Sequence, residues 1–237
     1  QKGVIYTGSD DGLVHLTKDG GATWTNVTPA GLAECLIYSI EVSPHDSATA
    51  YIATTRYKFN DPTPAIYKTI NYGKSWTKIT KGIADGAFTR VVREDAQRKD
   101  LLYAGTEMGL YISYDGGNQW LPFQLNLPIT PITDLKLHQG DLIASTGGRA
   151  FWILDDIGLV RQYNPAIVAK NEWHLYTPKN AYRVSGGSSL NKVVSEDPIG
   201  PEPTGSAGTN PSTGLVIYYQ LPQKLDTASV LNLEIKD

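Results

Sequence analysis

Three acidic or amide side chains recur in one setting. Asp19 lies in Thr17-Lys18-Asp19-Gly20-Gly21-Ala22-Thr23-Trp24, Asn71 in Thr69-Ile70-Asn71-Tyr72-Gly73-Lys74-Ser75-Trp76, and Asp115 in Ser113-Tyr114-Asp115-Gly116-Gly117-Asn118-Gln119-Trp120. Each octapeptide fits Ser/Thr-x-Asp/Asn-x-Gly-x-x-Trp, and they start at residues 17, 69 and 113, at intervals of 52 and 44. An aspartate in such a loop has the chemistry of a general acid, a base or a cation ligand. It also has the chemistry of a turn, because its oxygens accept hydrogen bonds from backbone N–H groups about two residues further on. Asn71 favours the turn: a carboxamide caps a turn but cannot be a general acid, base or nucleophile at neutral pH. Asp19, Asn71 and Asp115 are therefore read as structural. Gly21, Gly73 and Gly117 supply backbone freedom. Trp24, Trp76 and Trp120 anchor the following strand, each with an indole N–H that needs a partner.

A second set of chemically able residues lies between the octapeptides. Asp10, Asp11 and Glu107 are the candidate catalytic carboxylates. A glycosidase flanks the scissile bond with two such groups, roughly 5–9.5 Å apart according to mechanism. Yet an acid next to glycine, as in Asp11-Gly12, is also ordinary tight-turn chemistry. Arg56 and Arg149 are candidate anion clamps. Tyr57 and Phe59 are candidate stacking groups for a sugar or an extended peptide, and Asp61 completes this ligand-binding set. The four histidines (15, 45, 138 and 174) are scattered without metal-ligand spacing, and Cys35 is the single cysteine. No metal site and no cofactor is expected.

The elements that must position these residues are strands. Val4-Ile5-Tyr6-Thr7, Leu13-Val14-His15-Leu16 and Thr23-Trp24-Thr25-Asn26-Val27 are short, rich in β-branched and aromatic residues, and bounded by Gly and Asp, which is a hairpin pattern. The same order returns at 50–54, 65–69 and 75–79, and again at 101–105, 110–113 and 119–123. Apolar runs at 38–42, 89–92 and 132–137 precede the later units. Each unit thus has four strands, A to D, and four-stranded antiparallel units at this period are β-propeller blades. A fourth unit is expected at 142–145, 151–154 and 159–163; it lacks the octapeptide, and Asp155-Asp156 takes its C–D turn. The first blade lacks its A strand, so one partial and three full blades are predicted. In such a blade the C–D turns lie at the end opposite the B–C loops. Asp10, Asp11, Arg56 to Asp61, Glu107 and Arg149 fall on the B–C loops, the usual seat of a ligand on a rigid scaffold.

The expected fold is all-β: about four propeller blades over 1–164, an extension and Pro/Gly-rich linker over 165–214, and the first strands of a truncated β-sandwich over 215–237. The strand runs 215–221 and 229–235 carry the last of these. The chain opens almost directly in a strand, which predicts sequence upstream, and the bare edge of the first blade predicts self-association. A net charge of -3 without a basic stripe excludes nucleic acid as a partner. No run reaches the ~20 apolar residues of a membrane helix. One Cys, one Met, 14 Tyr and 5 Trp suit an exported bacterial protein, with no signal peptide in this stretch.

The octapeptide resembles the Asp-box, or BNR repeat, of sialidases, of endoglucanases acting on xyloglucan and of sortilin/VPS10 receptors. The chain also resembles the large bacterial proteins described as BNR-repeat glycosyl hydrolases or as sortilin/VPS10-like. Stretches such as Leu102-Tyr103-Ala104-Gly105-Thr106-Glu107, Leu125-Asn126-Leu127-Pro128 and Gly148-Arg149-Ala150-Phe151-Trp152-Ile153-Leu154-Asp155-Asp156 carry the likeness, over roughly residues 3–163. The resemblance implies a C-terminal propeller segment followed by a sandwich module. It implies an exported protein, periplasmic, at the cell surface or secreted. It does not imply one chemistry, because the Asp-box occurs in hydrolases and receptors alike. Sialidases hold their substrate with three arginines. Arg90, Arg93 and Arg149 are the nearest set here, but Arg90 and Arg93, three apart on one strand, are expected on opposite faces. Two readings follow. In one, the segment binds a peptide or glycan, or acts as a scaffold alongside the remaining blades of its parent chain. In the other, it belongs to a glycoside hydrolase whose site upstream blades complete.

Overall fold

A computed structural model of the chain describes residues 2–170, 172–181, 215–222 and 232–234. Residues 182–214 of the predicted extension and linker, and most of the run 229–235, lie outside these residues. The chain divides into two compact units, one ending at Ile157 and the other starting at Gly158.

The first unit holds four antiparallel sheets in chain order. The first is β1 (Ile5–Gly8), β2 (Val14–Thr17) and β3 (Thr25–Asn26). The second is β4 (Leu36–Val42), β5 (Ala50–Arg56), β6 (Asp61–Thr69) and β7 (Thr77–Lys78). The third is β8 (Thr89–Glu94), β9 (Leu102–Thr106), β10 (Gly109–Ser113) and β11 (Leu121–Pro122). The fourth is β12 (Ile132–His138), β13 (Asp141–Thr146) and β14 (Phe151–Leu154). Within each sheet every strand pairs with its neighbour in sequence, as short turns between antiparallel strands allow. The unit is a β-propeller segment, with β8 lying between the inner strands β4 and β12.

The alternation of each strand sorts its side chains between two blade junctions. At the first junction Tyr6, Val14, Leu16 and Val27 pack against Ala50 and Ile52, with Tyr67 and Trp76 at the margin. At the second, Tyr51, Ala53, Ile66 and Ile79 meet Val92, Leu102, Ala104, Tyr111 and Trp120. The two junctions use equivalent positions. In the hairpin ladders Ala50 lies opposite Thr69 and Leu102 opposite Ser113, the first residue of each octapeptide.

The octapeptide tryptophans join these blades. Trp76 donates its indole N–H to the Val27 carbonyl of the preceding blade at 2.7 Å, and Trp120 donates to the Ile79 carbonyl at 2.7 Å. Val27 and Ile79 hold the same place, just past the D strand, with their own N–H groups on the Val14 and Ile66 carbonyls. The octapeptide glycines press on the same two residues. A Cβ on Gly73 would meet Val27 Cβ at 2.6 Å, and one on Gly117 would strike Ile79.

The fourth blade departs from the expected pattern. Residues 159–162 of the predicted D strand at 159–163 are instead helical, in α1 (Gly158–Gln162). Leu159, Val160 and Tyr163 fit a helical period as well as a strand. No octapeptide turn reverses the chain there, and the fourth sheet has three strands. The first blade lacks its A strand, as expected, so two of the four blades are full. A cavity remains at this last junction, lined by Phe123, Leu142, Ala144 and Trp152 among others. In the second unit, α2 spans Pro165–Lys170, and β15 (His174–Leu175) pairs with β16 (Tyr219–Gln220). Gln162 braces this unit by bonding both the N–H and the carbonyl of Thr177.

The indole bond makes a prediction. Trp120 is 1% exposed, so losing its N–H leaves the Ile79 carbonyl buried and unpaired. Trp120→Phe should cost about 1–3 kcal/mol in urea denaturation, the usual penalty for an orphaned buried polar group.

Candidate functional site

The octapeptide turns and the B–C loops occupy opposite ends of the blades. The turns share an end with the A–B connections: Gly20 N–H bonds the Gly3 carbonyl, Tyr72 N–H bonds Ala48, and Gly116 N–H bonds Asp100. The B–C loops share the other end with the D–A connections: Ile37 N–H bonds the Ser9 carbonyl, Glu107 N–H bonds Phe88, and Gly147 N–H bonds Pro131.

All three octapeptides close in one way. Thr17, Thr69 and Ser113 donate to the Oδ1 atoms of Asp19, Asn71 and Asp115 at 2.7, 3.0 and 2.8 Å. The same hydroxyls accept the N–H groups of Gly21, Gly73 and Gly117 at 2.9–3.0 Å. Each Oδ1 then accepts an N–H four residues on, from Thr23, Ser75 and Gln119, all at 2.9 Å. The reach is four residues rather than two, so a single oxygen spans the whole turn. Asn71 replaces the acid without change because only Oδ1 is essential; its Nδ2 donates to Ser75 Oγ, where Asp19 accepts from Thr23 Oγ1. The Thr17 and Thr23 hydroxyls and the Thr23 N–H hold the Asp19 carboxyl far below the usual carboxylate range.

At the mouth end, the candidate carboxylates are engaged locally. Asp11 accepts from the Ser9 hydroxyl and the Leu13 N–H, which lowers its pKa. Asp10 is exposed beside it. Glu107 accepts Arg90 Nε and Nη2 at 2.8 and 2.6 Å. Asp10 and Asp11 stand on the first blade and Glu107 on the third, and no hydrogen bond links Glu107 to either among the described residues. Arg149 sits on the fourth blade's B–C loop, where its carbonyl accepts the Trp152 indole N–H at 2.9 Å and its guanidinium is exposed.

The second and third blades bring the other candidates together. Tyr57 to Phe59 form a single 3-10 turn, ended by Asn60 in the left-handed region. Arg56 bridges to Asp61 at 3.1 Å, donates to the Glu34 carbonyl at 2.8 Å and lies 5.2 Å from the Phe59 ring. The Thr63 hydroxyl and N–H, ahead of Arg56, lower the Asp61 pKa. Tyr57 stacks on Phe88, with centroids 5.5 Å apart at 16°. Phe88 in turn faces the Arg90 guanidinium at 5.0 Å, and the Tyr38 ring lies 5.2 Å from the same guanidinium. Arg90 Nη1 donates to the Tyr38 hydroxyl at 2.7 Å. A continuous stack, Tyr57–Phe88–Arg90–Tyr38, thus crosses the junction of the two blades, fixed by Glu107. Tyr38, Phe88 and Arg90 belong to this cluster without any motif to mark them. Their only signal was position at the mouth ends of two A strands.

The arginine expectation is corrected in one respect. Arg90 and Arg93 both reach the inner strand of the second blade, Arg93 through Ser39 Oγ at 2.8 Å and Glu41 at 3.6 Å. The β8–β9 register shifts between Thr89 and Val91, so Arg90 is an extra residue and simple alternation fails. Arg93 also binds Asp134 at 2.7 Å and the Leu135 carbonyl at 2.9 Å, tying together three inner strands. Glu94 and Asp95 are buried. They cap the A–B turn, accepting the N–H groups of Asp100 and of Gln97 and Arg98.

No protein-family model matches the chain, and no curated protein matches it. Among solved structures it is similar to YCF48 bound to D1 peptide, with a TM-score of 0.51 and 17% identity over 65% of this chain and 49% of that one. It is also similar to the Niastella koreensis GH74 enzyme, with a TM-score of 0.50 and 16% identity over 66% of this chain and 27% of that one. Both are β-propeller folds, and at these identities the likeness is one of fold. The chain spans about half the length of the first and about a quarter of the second.

The turn chemistry predicts a pH dependence. The folded pKa of Asp19 lies below its unfolded value of about 3.9, so its stabilisation is present above that pH and lost as pH falls through the folded value. The stability gap between the natural chain and Asp19→Asn, measured by urea titration, should be largest at neutral pH and shrink progressively as pH falls below about 4. Asp19→Ala, which removes the essential oxygen, should be the less stable variant at every pH.

Proposed function

We propose that this chain is a ligand-binding segment of an exported, sortilin/VPS10-like Asp-box propeller. Its ligand is an extended peptide or glycan lying across the mouth of the second and third blades. The observation that carries this reading is the stack Tyr57–Phe88–Arg90–Tyr38, with Phe59 and Arg56 beside it. Tyr57 is 44% and Phe59 49% exposed, so each offers a ring face on a backbone fixed by hydrogen bonds. Flat, amphipathic rings held in place bind sugar faces or peptide side chains at a small entropic cost. Arg56, clamped by Asp61, lies along one rim, and Arg149 is a further anion clamp on the fourth blade.

The arrangement of acids supports binding over hydrolysis. Asp11 is bound within its own turn, Glu107 neutralises Arg90, and Asp19, Asn71 and Asp115 lie at the other end. A glycosidase pair would have to include carboxylates from elsewhere in a longer protein. YCF48 has been captured with a peptide and the GH74 protein is an enzyme; those properties are theirs, and the shared fold is compatible with either.

The test is a panel of peptides and polysaccharides against the immobilised chain, with reducing-sugar release assayed in parallel. Tyr57→Ala and Phe59→Ala should each weaken the best ligand about tenfold, or ~1.4 kcal/mol. Asp19→Asn, at the opposite end, should leave affinity unchanged. Sugar release that disappears on Asp11→Ala would instead establish the hydrolase.

A further inference from the structure

The three octapeptides are equivalent in sequence and turn geometry, yet only two of their tryptophans are joined to another blade. Trp24 has no hydrogen-bond partner for its indole N–H among the described residues, and it is 45% exposed against 1% for Trp120. Gly21 repeats the contrast. Added Cβ atoms on Gly73 and Gly117 run into Val27 and Ile79, whereas one on Gly21 meets nothing nearer than the Trp24 ring at 3.9 Å.

The remaining positions of this face follow the ladder registers. In the third blade the face that meets its predecessor is Leu102, Ala104, Tyr111 and Trp120; in the second it is Ala50, Ile52, Tyr67 and Trp76. Ile5 lies opposite Thr17 as Ala50 does Thr69 and Leu102 does Ser113. The equivalent positions in the first blade are therefore Ile5, Thr7, His15 and Trp24. Ile5, Thr7 and Trp24 are exposed there, and His15 is partly so.

We infer that this face is a docking surface for one further propeller blade, supplied by polypeptide outside these 237 residues. The partner must end its outermost strand in a branched apolar residue. That side chain seats on Gly21 and its backbone carbonyl accepts the Trp24 indole N–H, as Val27 and Ile79 do for Trp76 and Trp120. A second copy of this chain does not fit the requirement. Its Val27 and Ile79 carbonyls are already bonded, and its remaining equivalent, Phe123, lies against the fourth blade.

The register also defines a probe. Gly3 accepts from Gly20 as Asp100 does from Gly116, so Gln1 corresponds to Arg98. A chimera with a copy of residues 36–97 joined directly ahead of Gln1 therefore presents a second blade, ending in Ile79, to the Trp24 face. It also supplies an inner strand for the first blade. Trp24 fluorescence is isolated as the difference between each protein and its Trp24→Phe version. In the chimera this signal should shift to the blue and lose acrylamide quenching, approaching that of a buried indole. A chimera that unfolds cooperatively while Trp24 stays as accessible as in the original chain would overturn the inference. The original chain gives an independent check that does not need the chimera to fold. There Trp24→Phe should leave the denaturation midpoint unchanged while Trp76→Phe lowers it. Equal losses for the two would mean that Trp24 already has its partner, and would also overturn the inference. Concentration-dependent burial of Trp24 in the original chain would point to a second copy, with the same consequence.

Discussion

The first two blade junctions of the propeller unit depend on one short knot of hydrogen bonds. A hydroxyl and one side-chain oxygen, two residues apart, gather two backbone N–H groups and fold eight residues into a fixed corner. The corner places a glycine and a tryptophan against the end of the preceding blade. There the glycine makes room for Val27 or Ile79, and the indole N–H satisfies the carbonyl of that same residue. A local turn is thereby converted into a junction between blades more than 40 residues apart in sequence. The junction is demanding in both components. A side chain on the glycine would collide with the neighbour, and without the indole the carbonyl would be buried unpaired.

The most conspicuous polar residues of the chain are thus builders of turns, set apart from the proposed ligand surface. Asp19, Asn71 and Asp115 spend their oxygens on the backbone, at the end of the blades shared with the A–B turns. The B–C end is built differently, from loops of unequal length on the same rigid strands. The loop of the second blade folds as a single 3-10 turn, and its Tyr57 ring extends a stack that begins between the inner strands of two blades. Arg90 is central to it: its guanidinium contacts two rings and Glu107 neutralises it. The proposed ligand face is thus separated from the feature that builds the scaffold.

The parts of this arrangement legible in the sequence were those with a local cause. The octapeptides count the blades because every essential group lies within eight residues. Strand positions followed from alternation, and the assignment of loops to ends followed from strand order. What could not be read depended on register or on distant partners. The bulge at Arg90 carries no glycine or proline to mark it, so alternation misplaced that side chain. Leu159 to Tyr163 satisfies two periods, and only the missing turn decides for the helix. Glu94 and Asp95 look like surface charges, but the A–B turn folds its N–H groups over them. Tyr38 and Phe88 are unremarkable hydrophobic residues until the ring brings their strands together.

The account is tested most directly by mapping where a ligand touches the chain. The measurement is amide chemical-shift perturbation in the 15N-labelled protein, titrated with the best binder from a peptide and polysaccharide panel. Shifts concentrated at Tyr57, Phe59, Phe88, Arg90 and Glu107, with the three octapeptides silent, are the predicted result. Shifts centred on Asp19, Asn71 and Asp115 would contradict it.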